Sequence, residues 1–169
     1  MSLPFWPQIY IERAVDFDPE VHLPTPRKGL ILDLDNTLVP WGTEDVSPEV
    51  ELWVASMRER GIKMMILSNS TSGRVMRLGK RFDMPHISGA GKPFGPGYEA
   101  ALRRLDLPRE AVAAIGDQLF TDTLGANRAG ISSVLVKPLA KRDFIGTIII
   151  SRNLERFFIK RIIEERGVK

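Results

Sequence analysis

The sequence contains no cysteine, so a disulfide, a thiolate nucleophile and a thiolate metal site are all excluded. That absence fits a reducing compartment. Histidine is scarce as well: only His22 and His86 occur, isolated from each other, which leaves a Ser-His-Asp hydrolase without support. No stretch approaches the roughly 20 apolar residues of a membrane span. The N-terminus carries Leu3, Phe5, Trp6, Ile9 and Ile11, but Pro4, Pro7 and charges break it, so it lacks the core of a signal peptide. Charge of one sign is also in short supply, since the formal net charge is +3, and no nucleic-acid partner is expected from so weak a field. The segment Gly89-Ala90-Gly91-Lys92 lacks the spacing of a nucleotide-binding P-loop. Chemistry must therefore come from oxygen and nitrogen groups, in a chain expected to be cytoplasmic.

What is present is enough apolar residue, 43% of 169, to bury one sizeable core, and the length is short for two domains. A single domain over 1–169 is expected. Pro19, Pro24 and Pro26 make about 1–28 a poor place for regular structure, so the fold is expected to start near residue 29. Gly29 to Leu34 is a short apolar run readable as a buried strand. Ser47-Pro48-Glu49 opens a helix, and Val50, Val54 and Met57 keep its spacing until Gly61. The alternation continues with a strand over 62–67, helices over 70–82 and 98–105, a strand over 111–115, a helix over 121–129 and a strand over 131–136. Such βα alternation predicts a doubly wound α/β layer on a mostly parallel sheet. Residues 153–166 mix Leu154, Phe157, Phe158, Ile162 and Ile163 with Arg156, Lys160 and Arg161, the pattern of an amphipathic helix with basic edges.

In such sheets, ligands bind beyond the carboxyl ends of the strands, and three predicted strands end in polar residues. The first ends in Asp33-Leu34-Asp35-Asn36-Thr37, the second in Ser68-Asn69-Ser70-Thr71, and a later one in Gly116-Asp117. Asp33 and Asp35 are two apart and start on one face of an extended chain. Together with Asp117 they would repel unless a hard cation lay among them, and oxygen-only ligation suits Mg²⁺. A bare D-x-D is more often a pair of turn residues. Ser68 and Asn69 stand between a strand and a helix, where backbone N–H groups favour an anion, and simple N-capping by Ser70, Thr71 or Ser72 is compatible with the same residues. Lys92 precedes a proline, which keeps it out of a helix; it offers a point charge for a phosphoryl group or is a solvated lysine.

In order and at strand ends, these segments resemble the four motifs of the haloacid dehalogenase (HAD) superfamily. Asp33-Leu34-Asp35-Asn36-Thr37-Leu38-Val39 is similar to the first, Ser68 to the second, Lys92 to the third, and Gly116-Asp117-Gln118-Leu119-Phe120-Thr121-Asp122 to the fourth. The resemblance implies a Rossmann-like HAD hydrolase core and a two-step phosphoryl transfer. Asp33 would be the nucleophile and Asp35 the acid and then base, with Ser68, Asn69 and Lys92 binding phosphate. Mg²⁺ would be held by Asp33, Asp35 through its backbone carbonyl, and Asp117. Asp122 would support the metal from the second shell of ligands, or favour the first turn of the following helix. The intervals from Asp35 to Asn69 and from Asn69 to Lys92 are too short for a large inserted cap, so a capless enzyme is expected, with Pro40, Trp41 and Gly42 on a short flap.

From about residue 5 to 165 the chain is similar to the YqeG-type branch of the HAD IIIA phosphatases, related to the mitochondrial phosphatidylglycerophosphate phosphatase. The residues carrying this are Asp35 to Val39 with Trp41, Leu67-Ser68-Asn69-Ser70, Lys92-Pro93, Ile115 to Asp122, and Gly125-Ala126-Asn127-Arg128. The branch implies a lipid phosphomonoester, phosphatidylglycerophosphate, as substrate. The alternatives are a soluble sugar or nucleotide monophosphate, or a catalytically silent binding protein. The aromatic N-terminus and basic C-terminal helix fit a peripheral contact with an anionic membrane. Whether Arg74, Arg77, Arg128 or Lys137 touches substrate is open at this level.

Overall fold

The computed structural model describes residues 4–23, 28–140, 158 and 160–161. In chain order the elements are β1 (Ile9–Ile11), α1 (Pro19–His22), β2 (Gly29–Leu32), α2 (Pro48–Glu59), β3 (Lys63–Leu67), α3 (Gly73–Arg81), β4 (His86–Ile87), α4 (Gly97–Leu105), β5 (Val112–Gly116), α5 (Leu124–Arg128) and β6 (Ser132–Val136). All six strands join one parallel sheet in the order β1-β6-β5-β2-β3-β4. The four inner strands are nearly continuous apolar runs because a parallel sheet is covered on both faces.

Successive side chains divide the core into two layers. Leu30, Leu32, Met64, Ile66, Ala113 and Ile115 face a layer completed by Val50, Trp53, Val54 and Met57 of α2 and Val75 and Leu78 of α3. Ile31, Met65, Leu67, Val112 and Ala114 face Tyr98, Ala101 and Leu102 of α4 and Ala126 of α5. At the start of α2, Ser47 Oγ accepts from Val50 N at 3.3 Å and Pro48 takes the first position, where its missing N–H costs nothing.

Winding fixes where a ligand can sit. From β2 the chain moves outward through β3 to β4, then returns to β5 on the other side of β2 and moves outward to β6. The direction therefore reverses between β2 and β5, and the carboxyl ends of these two neighbours border the crevice that α/β sheets use for ligands. The interval between Asp35 and Ser68 holds a flap, α2 and β3, and that between Asn69 and Lys92 holds α3 and β4. Neither contains a separate cap.

The N-terminal expectation is corrected. Residues 9–11 form an edge strand on β6, with Ile9 beside Val134 and Ile11 beside Val136. Three residues carry too little periodicity to be read alone, and their partner lies at the far end of the described fold. Pro19 opens α1 rather than preventing it, with Asp18 Oδ1 accepting from Glu20 N at 2.8 Å. Phe17 is buried, its carbonyl accepting from Trp53 Nε1 at 3.0 Å. Asn127 ties the segment from the other side: its Nδ2 donates to the carbonyls of Pro4 (2.7 Å) and Trp6 (3.0 Å), and its Oδ1 accepts from Ser133 Oγ at 2.8 Å. The expected helix over 153–166 lies outside the described residues except Phe158, Lys160 and Arg161; the Phe158 ring meets Phe5 with centroids 4.9 Å apart.

Replacing Asn127 by Ala is expected to cost about 1–3 kcal/mol of stability, because two main-chain carbonyls and the Ser133 hydroxyl lose a partner. Urea unfolding measures the loss, and hydrogen exchange should show the Ile9–Ile11 amides opening earlier; unchanged exchange there would remove Asn127 as the tether of β1.

Candidate active site

Strand pairing carries Asp33, Ser68 and Asp117 to one place. Asp33 follows β2, and its N–H donates to Ile115 O at 2.9 Å, locking the end of β2 against β5. Asp117 is the first residue beyond β5, and Ser68 the first beyond β3, where its N–H donates to Ile87 O at 3.0 Å. Lys92 arrives from the turn after β4. Its N–H donates to Asn69 Oδ1 at 2.7 Å and its carbonyl accepts from Asn69 Nδ2 at 3.0 Å. The Asn69 amide, expected at the phosphate, is thus engaged in holding the Lys92 backbone.

The Lys92 ammonium is buried and donates to Asp33 Oδ1 and Asp122 Oδ1, each at 2.6 Å. Carboxylate oxygens of Asp33, Asp117 and Asp122 lie within 4.8 Å of one another. Asp122 reaches this point from a single π-helical turn, Leu119–Thr123, a rare deviation often found at functional sites. Three contacts aim it. Gln118 N donates to its Oδ2 at 3.1 Å, Tyr98 OH donates to its carbonyl at 3.0 Å, and Gly116 supplies the room, since a Cβ there would overlap the Asp122 carboxyl group. The expectation of a helix over 121–129 therefore resolves into the π turn followed by α5.

Electrostatics follow from burial. Loss of solvent pushes the Asp33 carboxyl up to about 7, with Asp122 adding to the rise and the Lys92 ammonium opposing it. Burial alone would lower Lys92, but the carboxylates of Asp122 and Asp33 outweigh it and hold the ammonium above the usual lysine range. Three clustered carboxylates against the single ammonium that pairs with two of them leave an excess of negative charge on hard oxygen donors, a set that suits Mg²⁺.

Asp35 is turned the other way. Asn36 adopts a left-handed φ of 61°, which Asn tolerates, and the chain turns there, with the Asn36 N–H donating to Val39 O at 2.8 Å. The Asp35 carboxylate then accepts from Gly42 N at 3.2 Å and pairs with the Arg74 guanidinium. Arg74 also donates to Thr43 O at 2.8 Å, so one buried arginine joins α3, the flap and Asp35. A cation in the first turn of a helix opposes the helix dipole, so the sequence favours an anionic partner for Arg74 without telling which one. The other open cases lie further out: Arg77 pairs with Glu44, Arg128 stacks over Phe94 at 4.9 Å, and Lys137 pairs with Glu12 at 3.0 Å. A cavity of about 900 Å³ opens above Asp33, Asp35 and Lys92, bordered by Trp41 and Glu44 on the flap and by Ser70 to Ser72, Arg74 and Arg77 at the start of α3.

Comparison with known proteins shows what the whole chain is similar to. The HAD-hydrolase-like family model matches residues 89–138. The chain is 39% identical to Probable phosphatase YqeG of Bacillus subtilis (strain 168), over 90% of this chain and 88% of that one. It is 27% identical to ribulose-1,5-bisphosphate 5-phosphatase of Halopiger xanaduensis, covering 80% of this chain and 59% of that one. It is 28% identical to chloroplastic phosphatidylglycerophosphate phosphatase 1 of Chlamydomonas reinhardtii, covering 79% and 53%. In fold, the cobalt-bound deoxy-D-mannose-octulosonate 8-phosphate phosphatase of Haemophilus influenzae superposes with a TM-score of 0.55 at 15% identity, over 83% of this chain and 90% of that one.

The raised Asp33 carboxyl sets a pH dependence in the metal-free protein. Unfolded, the group ionises near 3.8; folded, near about 7. Between these values the unfolded chain holds fewer protons, so this contribution to stability falls as pH rises through the window and is constant above it. With both proteins in EDTA, the melting temperature of Asp33→Asn should gain on that of the unaltered chain from pH 4 to pH 7. A gap that does not change with pH contradicts the assignment.

Proposed function

Since the chain belongs to the HAD-like hydrolases and is a phosphatase of that family, we propose that it hydrolyses phosphomonoesters through a phosphorylated Asp33 with Mg²⁺, and that its substrate is phosphatidylglycerophosphate. The observation that carries the reading is the clustering of the Asp33, Asp117 and Asp122 carboxylates at the carboxyl ends of β2 and β5, with Asp33 and Asp122 paired to the buried Lys92.

Asp33, the Asp35 backbone carbonyl and Asp117 would hold Mg²⁺, which supplies positive charge against the phosphoryl oxygens. Asp33 attacks phosphorus, the bond from phosphorus to the alcohol oxygen breaks, and Asp35 gives that oxygen a proton. Water then attacks the same phosphorus, Asp35 takes its proton, and the Asp33 carboxylate leaves, releasing inorganic phosphate. The Ser68 hydroxyl and the Lys92 ammonium bind the nonbridging oxygens as charge moves onto them. Asn69 fixes the Lys92 backbone, Arg74 holds the Asp35 carboxylate under the flap, and Asp122 shares Lys92 with Asp33.

The lipid assignment draws on the open cavity and on the named activity of the Chlamydomonas relative. The Halopiger relative favours a second reading, a soluble phosphorylated sugar. The two named substrates share one feature: each carries a second phosphate, a diester in the lipid and a monoester in the sugar. Peripheral contact with an anionic bilayer rests on the basic C-terminal residues, because Phe5 packs on Phe120 with ring centroids 5.1 Å apart and Trp6 joins the same apolar cluster.

Phosphate release from phosphatidylglycerophosphate in mixed micelles, beside soluble phosphomonoesters, tests the reading. Release from the lipid that requires Mg²⁺, stops with EDTA and falls at least about 10³-fold in Asp33→Asn is expected for loss of a covalent nucleophile. Release from soluble esters alone would sink the lipid substrate, and undiminished activity of Asp33→Asn would sink the mechanism.

A further inference from the structure

The three cations that line the cavity differ in how firmly they are held. Lys92 is enclosed between Asp33 and Asp122, with its side chain 3% exposed. Arg74 is nearly as enclosed and has a second tie to Thr43 O. Arg77 is different: its side chain is 58% exposed, its partner Glu44 is 41% exposed, and the only ligand joining them is one carboxylate oxygen. Both Nε (3.0 Å) and Nη2 (2.6 Å) donate to that Glu44 Oε1. An ion pair this exposed is weak and exchangeable.

The geometry also says what would replace Glu44. Two N–H groups on one edge of a guanidinium match two oxygens of a phosphate, one for each N–H, whereas Glu44 offers both of them the same oxygen. Arg77 stands one turn beyond Arg74 on α3, so the side chains follow one another along the cavity from Asp33 and Asp35 to the exposed rim. Ser70, Thr71 and Ser72 line the same stretch, with Ser70 Oγ and Ser72 Oγ 2.9 Å apart, and the first turn of α3 holds no acidic residue to compete for an anion. The acid facing Arg77 there is Glu44, on the flap, where its exposed side chain can swing into solvent.

We propose that Arg77 is a specificity-determining residue that binds a second phosphate of the substrate, remote from the one being hydrolysed, with Glu44 occupying Arg77 until that group arrives. The inference rests on the reading of the protein as a hydrolase of esters that carry two phosphates. It adds no covalent step: one anion replaces another on the guanidinium.

The probes are dihexanoyl phosphatidylglycerophosphate, which has the second phosphate, and sn-glycerol 3-phosphate, which does not. Arg77→Gln lowers the ratio of their kcat/KM values about tenfold through KM of the lipid ester, the scale of one charge-assisted contact. Glu44→Gln moves the ratio the other way, because the competing carboxylate is gone. A ratio that neither variant alters, or that both lower, overturns the proposal. Calorimetric titration of the same two esters into Asp33→Asn, with and without Arg77→Gln, reads the ratio as affinity and needs no turnover. An enzyme that hydrolyses neither ester would therefore sink the proposed reaction while binding still decides Arg77: a tenfold fall for the two-phosphate ester alone supports it, and equal affinities in the two proteins overturn it.

Discussion

Everything at this site depends on keeping three carboxylates together, two of them paired with one buried ammonium. Like charges in a poorly solvated crevice oppose folding, and Lys92 offsets only part of that cost. The rest of the arrangement follows from this burden. Asn69 holds the Lys92 backbone by both its N–H and its carbonyl, so the ammonium cannot drift from Asp33. Gly116 leaves the space into which Asp122 points, and Gln118 and Tyr98 fix the turn that carries it. Such a cluster is stable enough to keep only if something gains from it, and a cation facing a phosphoryl group is the gain that HAD-like chemistry offers.

The sheet makes this concentration of charge affordable by spreading its supports over the whole fold. Asp33, Ser68 and Asp117 each stand one residue beyond a strand whose side chains are buried in two apolar layers, so the site is set by register rather than by loop conformation. Elements distant in sequence hold the edges. Asn127, just after the π turn, binds the chain entering β1, while Trp53 on α2 holds the carbonyl of Phe17. On the opposite side, Arg74 draws the flap to α3 and fixes the Asp35 carboxylate away from the other three. Division of the carboxylates into a cluster of three and one flap-facing member is what would separate a nucleophile from an acid and base in the proposed mechanism.

Legibility in the sequence followed the amount of periodicity available. β2, β3, β5, β6 and α2 are long enough, and apolar enough, to be read within a residue or two of their observed ends. β1 and β4 have three and two residues, and their existence depends on a neighbour that no local pattern reveals. Helix 70–82 lost its first turn because Ser70 and Ser72 bond each other instead of continuing the helix. The acidic residues and Lys92 were visible because their chemistry and spacing match a known motif set. The duties of Asn69, Gly116 and Arg74 were not, since each acts by touching a residue brought near only by the fold.

The claim that Asp33 carries the phosphoryl group can be tested on the atom itself. Enzyme mixed with substrate and Mg²⁺, quenched in acid and reduced with borohydride, should yield homoserine at position 33 by peptide mass spectrometry, because an acyl phosphate is reduced where a free carboxylate is not. The account predicts that product only when substrate is present. Turnover with Asp33 recovered intact, or reduction at another acidic residue, would contradict it.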